Sequence, residues 1–176
     1  MTDRAGLTGR EDYTTFFRQH HKPVLKAMVV RARGSLQVAA DATQEAFVLA
    51  GERWEEVAAH PNPVAWVYKV AQREVDKELR ANQKRTTLDL EDSAHPAVTP
   101  VEVSAEVSLV IRSIGSLPER QRQVATLHCI AGYPLVEVAA MLGIKPAAAR
   151  GSLRSARERI RRDHAPQVPT GGGGTR

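Results

Sequence analysis

The sequence predicts an all-α chain of two small helical domains joined by a flexible linker, and three observations predict it. Aromatic residues make up only 5% of the 176 residues, and Ala, Val, Leu and Arg dominate in place of β-branched runs bounded by turns. Apolar residues recur at spacings of three and four, the period of an amphipathic helix. Between Asn82 and Val103 that period dissolves into a polar, Pro-punctuated stretch, and a connection of roughly twenty residues is long for the inside of one compact domain. The 42% hydrophobic content suffices for two compact cores.

Residues 1–11, polar and rich in Gly, Thr and charge, read as a mobile N-terminus. The first domain, 12–82, opens with a helix whose buried side is Tyr13, Phe16, Phe17, Val24, Leu25 and Met28; Pro23 threatens to bend or interrupt it. A second helix is expected from Leu36 to about Trp54, and the run Val57 to Pro63, with two prolines and an Asn, forces a loop. Pro63 then opens a third helix with a buried stripe of Val64, Val67, Tyr68, Ala71, Val75 and Leu79. After the linker, 83–102, the second domain (103–163) starts with a helix near Glu102 to Ile114. It breaks at Gly115-Ser116-Leu117-Pro118, resumes over Glu119 to Ala131, and breaks again at Gly132-Tyr133-Pro134. The tail, 164–176, with Gly171 to Gly174 in a row, cannot bury apolar surface and is expected to be disordered.

The most informative stretch runs from Leu135 to Arg162 and reads as a helix-turn-helix. Val138, Ala139 and Leu142 give the first helix an apolar face, with Ala139 small enough for a second helix to cross close by. Gly143 suits the left-handed conformation of a tight turn, Ile144 plugs that turn into the core, and Pro146 sits in the first turn of the next helix. That second helix carries Arg150, Arg154, Arg157, Arg159, Arg161 and Arg162 against one acid, Glu158, which suits the major groove of DNA. Ala149 stands where a larger apolar anchor is usual, predicting looser packing beneath the helix, and Lys145 occupies the cap position that favours Ser, Thr or Asp.

Charge and composition narrow the function class. A net charge of +5 suits a polyanionic partner. The single cysteine, Cys129, falls in an apolar helical stretch and reads as a core residue of a reducing compartment, with no disulfide and no thiolate metal site. No apolar run approaches the roughly 20 residues that span a bilayer and no leader opens the chain, so a soluble, cytoplasmic protein is expected. No phosphate-cradling Gly-Lys-Ser loop is present, and the six histidines do not form a ligand spacing with acids or Cys129; His20 and His21 read as surface residues. Neither catalysis nor a cofactor is expected.

One further segment stands out in the second helix. In Ala39-Ala40-Asp41-Ala42-Thr43-Gln44-Glu45-Ala46-Phe47 the residues Asp41, Gln44 and Glu45 fall at i, i+3 and i+4, on one polar face, while Ala40 and Phe47 turn inward. Taken alone, this trio is either a docking surface for a basic partner or an ordinary solvated face. The order Asp-x-x-Gln-Glu-x-Phe, a Trp-bearing third helix, a Pro-containing linker, Leu117-Pro118-Glu119-Arg120-Gln121-Arg122, and a helix-turn-helix ending in Ala-Arg resembles the bacterial RNA polymerase sigma factors. Within them it is similar to the extracytoplasmic-function group, which keeps only regions 2 and 4, over residues 13–162.

The resemblance implies roles for particular positions. Asp41, Gln44 and Glu45 match the region 2 motif that binds the clamp helices of the polymerase's largest subunit. The segment from Ala65 to Arg73 matches the part that melts and captures the non-template strand of the −10 element. Asn62 in the preceding loop and Trp66 would face an unstacked base, although a lone Trp on an amphipathic helix is more often core; Lys69, Arg73, Lys77 and Arg80 would hold phosphates. Many relatives have Asn at the position of Arg73 and Asp at that of Lys77, so a base pocket here is built differently. In region 4 the helix from Pro146 would dock in the −35 major groove through Lys145, Arg150, Ser152, Arg154, Arg157 and Arg161, with Arg150 at base edges. Serines at positions 152 and 155, where relatives often carry Arg, shift weight from direct readout toward DNA shape.

The implied partners are core RNA polymerase, through its clamp and the flap of its second-largest subunit, promoter DNA, and an anti-sigma protein of the kind the family commonly has. Two weak DNA contacts joined on one enzyme surface act at high effective concentration, so promoter binding is expected in the holoenzyme and only poorly from the free chain. A competing reading is an autonomous helix-turn-helix regulator that binds DNA as a dimer, for which the Asp41 face would be idle. A third is a protein that binds polymerase without starting transcription.

Overall fold

The computed structural model describes residues 10–88 and 104–164. The expected N-terminal lead-in, most of the linker and the Gly-rich tail lie outside the described residues. The elements are α1 (Arg10–Arg31), α2 (Leu36–Glu52), α3 (Trp54–Ala58), α4 (Pro63–Leu88), α5 (Ala105–Gly115), α6 (Glu119–Ala125) with a π-helical turn over Thr126–Ile130, α7 (Leu135–Leu142) and α8 (Pro146–Asp163). No strand occurs among the described residues.

Pro23 stands inside α1 without ending it, because Val24 and Met28 on its C-terminal side are fully buried and hold the helix in register. The turn into α2 uses Arg33 and Gly34 at positive φ (56° and 93°), and the Ser35 hydroxyl accepts from the Val38 N–H to cap the new helix. Along α2 the buried set is Ala39, Ala42, Thr43, Ala46, Phe47 and Ala50. Their small side chains let α1 and α4 approach closely, while Phe47 fills the gap between them among the rings of Phe16, Phe17 and His21. Ala40, expected to face inward, is only half-buried.

Three boundaries differ from the sequence reading. The segment Trp54–Ala58 forms a short helix, since Trp54 and Val57 bury three residues apart, which leaves the turn to residues 59–62. There the Asn62 Oδ1 accepts from the Ala65 N–H at 3.0 Å and caps α4. α4 then continues to Leu88, six residues past the expected end of its domain. Polar residues are not breakers: the stretch after Asn82 holds no Gly or Pro, and Arg85 pairs with Glu78 at 2.9 Å along the helix. Finally, α6 passes into a π-helical turn that rotates the following side chains, so Thr126 and Leu127 are buried and Cys129 is exposed instead of lying in the core.

The helix-turn-helix matches expectation closely. Val138 and Ala139 are buried, Gly143 ends α7 in the left-handed region (φ 64°), and the Ile144 N–H returns to the Ala139 carbonyl at 2.9 Å. Ala149, Leu153 and Ala156 form the buried side of α8. Ala149 is fully buried, so this small residue stands on the core side of the helix. Lys145 is the N-cap of α8 and makes no side-chain cap bond. Lys145→Ser supplies that acceptor and is expected to stabilise the chain by about 0.5–1 kcal/mol, read as a rise in thermal midpoint.

The N-terminal and C-terminal halves pack on one another. Val24, Met28, Phe47 and Val67 of the first half and Leu127, Tyr133, Val138, Met141 and Leu153 of the second belong to one continuous buried cluster. A second cluster sets Val30 of α1 among Ile114, Leu117, Ala125 and Ala156.

Candidate nucleic-acid interface

Three exposed helix faces carry the candidate residues. On α2, Asp41, Gln44 and Glu45 are all exposed. Asp41 accepts from Gln37 Nε2 at 3.2 Å, an arrangement that orients the carboxylate without removing it from solvent. Val48, 47% exposed, stands three residues beyond Glu45 on the same face. Sequence reading missed it, because an apolar residue in an amphipathic helix is assigned to the core by default. Together the four residues make a small acidic surface with an apolar residue at its C-terminal end.

On α4 the residues Asn62, Trp66, Lys69, Arg73, Lys77 and Arg80 follow one another at intervals of three and four and so share one side of the helix. The four cations are exposed, and Lys77 pairs locally with Glu74 at 3.0 Å. Trp66 is half-buried and packs against the core cluster, leaving an edge beside Lys69. Asn62 spends its side-chain oxygen on the α4 cap and keeps its amide N–H groups for other partners.

On α8, Arg150, Arg154, Arg157 and Arg161 are exposed in a single row that flanks the buried row of Ala149, Leu153 and Ala156. Lys145 is exposed at the start of the helix. Ser152 is half-buried and off the row, so the structure does not group it with the arginines.

The seam between the halves holds residues that sequence reading did not single out. Arg31 of α1 makes a two-pronged pair with Asp76 of α4, Nε to Oδ1 at 2.8 Å and Nη2 to Oδ2 at 2.7 Å, and reaches Glu119 of α6 through Nη1 at 3.2 Å. Glu119 also pairs with Arg122. Burial disfavours charge on Glu119, but the hydrogen bonds from Arg122 and Arg31 outweigh it and hold the carboxyl below its usual range. At the middle of α1, His20 is half-buried, not a free surface residue. Its Nδ1 lies 3.1 Å from the Tyr133 hydroxyl and its ring stacks on that of Tyr133. Burial pushes the Tyr133 hydroxyl up, and the nearby Glu137 adds to the effect.

Burial also lowers the His20 pKa from its ordinary 6.5. The unfolded chain therefore takes up a proton on acidification that the folded chain resists. The stability due to neutral His20 is full above the unfolded value and declines as pH falls through 6.5 toward the lowered folded value. Thermal midpoints between about pH 5 and 8 should show this acid-side loss in wild type and a smaller one in His20→Gln.

Comparison with known proteins follows the same division. The Sigma-70 region 2 family matches residues 17–85 and the Sigma-70, region 4 family matches residues 108–160. The ECF RNA polymerase sigma factor SigM of Mycobacterium tuberculosis is 25% identical over 153 residues, covering 87% of this chain and 77% of SigM. The probable RNA polymerase sigma factor RfaY of Xanthomonas campestris pv. campestris is 25% identical over 132 residues, covering 70% of this chain and 33% of RfaY. Among solved structures, CnrH in complex with the cytosolic domain of CnrY shares the fold at a TM-score of 0.59 and 21% identity, over 86% of each chain. RpoE in complex with the anti-sigma factor NepR from Bartonella quintana gives 0.60 and 18%, over 87% of this chain and 96% of that one. With regions 2 and 4 both present and in order, the chain belongs to the sigma-70 family of RNA polymerase sigma factors, in its extracytoplasmic-function group.

Proposed function

We propose that this sigma factor docks on the clamp of core RNA polymerase through Asp41, Gln44 and Glu45, with the exposed Val48 on the same face adding an apolar contact. The face of α4 from Asn62 to Arg80 then holds the displaced strand of the −10 element. The arginine row of α8 enters the −35 major groove, with Arg150 at base edges and Arg157 and Arg161 on phosphates. The observation that carries this reading is the presence, on one chain, of an exposed acidic docking face and two separate exposed cationic helices. A dimeric regulator would leave the α2 face without a role.

The chain acts by recruitment and not by chemistry of its own. Binding to polymerase draws the halves apart, since one DNA contact is made by each half and the seam couples them in the free chain. An anti-sigma protein would work on the same equilibrium by favouring the closed arrangement, and one structural neighbour was solved with such a factor. The proposed location is the cytoplasm; no helix among the described residues is long and apolar enough to cross a membrane. Run-off transcription from a library of promoter fragments, with core polymerase and with or without the chain, tests the reading. Defined starts that depend on the chain are expected. No starts, together with specific duplex binding by the chain alone, would replace it with the autonomous regulator.

A further inference from the structure

The seam contains a concave pocket of about 370 Å³ that none of the three interfaces uses. Its wall comes from both halves: Arg31 and Arg33 at the end of α1, Asp76 on α4, and Arg112 and Arg122 on α5 and α6. Four guanidiniums line it with the Asp76 carboxylate, and the Glu119 carboxylate next to the pocket pairs with two of them, Arg31 and Arg122. Asp76 is already held by both prongs of Arg31, and Arg122 is engaged by Glu119 and by the Gly115 carbonyl at 3.1 Å. The exposed Arg33 and Arg112 add charge that this internal pairing does not consume, and each guanidinium offers five N–H donors in a planar fork suited to phosphate. Val30, Leu79 and Ile111 supply an apolar floor beside them.

We propose that this pocket binds a nucleotide, with the phosphates on Arg33 and Arg112, supported by the spare donors of Arg31 and Arg122, and the base against Val30, Leu79 and Ile111. The volume lies in the range of small-molecule sites, and convergent polar groups around an apolar floor are their usual construction. Arg33 is also held at φ 56°, a conformation costly for an arginine, in the turn that places it at the pocket rim. Because the wall is shared between α1, α4, α5 and α6, the occupied pocket ties the halves together. A nucleotide would thereby favour the closed chain over the form that spreads on polymerase.

The test uses the free full-length chain and is independent of its sigma activity. Titration with ADP at constant ionic strength, followed by calorimetry and by thermal midpoint, should show saturable binding and a raised midpoint, with pyrophosphate binding more weakly because it lacks a base. Arg33→Asn, which suits the left-handed backbone, combined with Arg112→Ala should weaken ADP binding at least about 10-fold, as expected for two lost charge-assisted contacts. Arg150→Ala/Arg154→Ala, on the DNA-reading helix, should leave it unchanged. No saturable ADP binding, equal binding by the Arg33/Arg112 variant, or loss in the Arg150/Arg154 variant would each overturn the proposal, the last by moving the ligand to the DNA face.

Discussion

Replacing Asp41, Gln44 and Glu45 together by alanine is expected to weaken binding to core RNA polymerase by at least about 100-fold, since each lost charged or hydrogen-bonded interface contact is worth about 1–3 kcal/mol. All three side chains are exposed, and Asp41 accepts a hydrogen bond from Gln37 on the same helix. The buried side of α2, from Ala39 to Ala50, is untouched, and alanine is the best helix former, so fold and thermal midpoint should be retained. Polymerase pull-down and run-off transcription should therefore fail together while circular dichroism stays as in wild type. Val48→Asp should have the same outcome by placing a desolvated charge within the contact, and Val48→Ala a smaller one. Undiminished transcription from the triple variant would remove α2 from the polymerase interface. A variant that loses both activity and helicity would point to folding, and Val48→Asp, which alters only an exposed position, would then decide between the two.

Much of this architecture was legible in the sequence because it is written in local chemistry. Pro63 and Pro146 open helices, Gly143 turns one, and the apolar stripe of α4 is buried at Val67, Tyr68, Ala71 and Val75 and half-buried at its ends, Val64 and Leu79. The polar trio of α2 and the cationic rows of α4 and α8 follow from helical periodicity, and all but Ser152 lie on the faces that periodicity assigns. What stayed hidden was set by long-range packing or by departures from the regular helix. Arg31 and Glu119 are 88 residues apart, and His20 and Tyr133 are 113 apart, so no window of sequence joins them. Cys129 falls in an apolar helical stretch that suggests the core, but it stands in the π-helical turn and is exposed. The persistence of α4 to Leu88 shows the converse error, in which loss of an apolar stripe was taken for loss of the helix. An exposed helix extending beyond its core needs only the absence of breakers and a pair such as Glu78 with Arg85.

The arginine row of α8 separates positioning from reading, and its variants should divide accordingly. Arg150 is exposed in the first half of the helix, one residue beyond the buried Ala149 that fixes the helix depth, so it is the arginine set closest to base edges when the N-terminal half enters the groove. Arg150→Ala in the holoenzyme should cost about 1–3 kcal/mol on a matched promoter, roughly 5-fold to 150-fold in affinity, and should relax preference at one position of the −35 element. Arg157 and Arg161 lie about two and three turns further along the same row, where the groove has curved away and phosphates remain in reach. Substituting these two should weaken all promoters nearly equally and lower the slope of log affinity against log salt by about 0.9 for each phosphate contact removed. The distinction is measured by footprinting holoenzyme on promoters mutated one base at a time across the −35 element, at several salt concentrations. If Arg150→Ala lowers affinity uniformly and alters only the salt slope, base readout belongs elsewhere on the helix. The short Ala149 and the half-buried Ser152 would then leave DNA shape as the main source of −35 specificity.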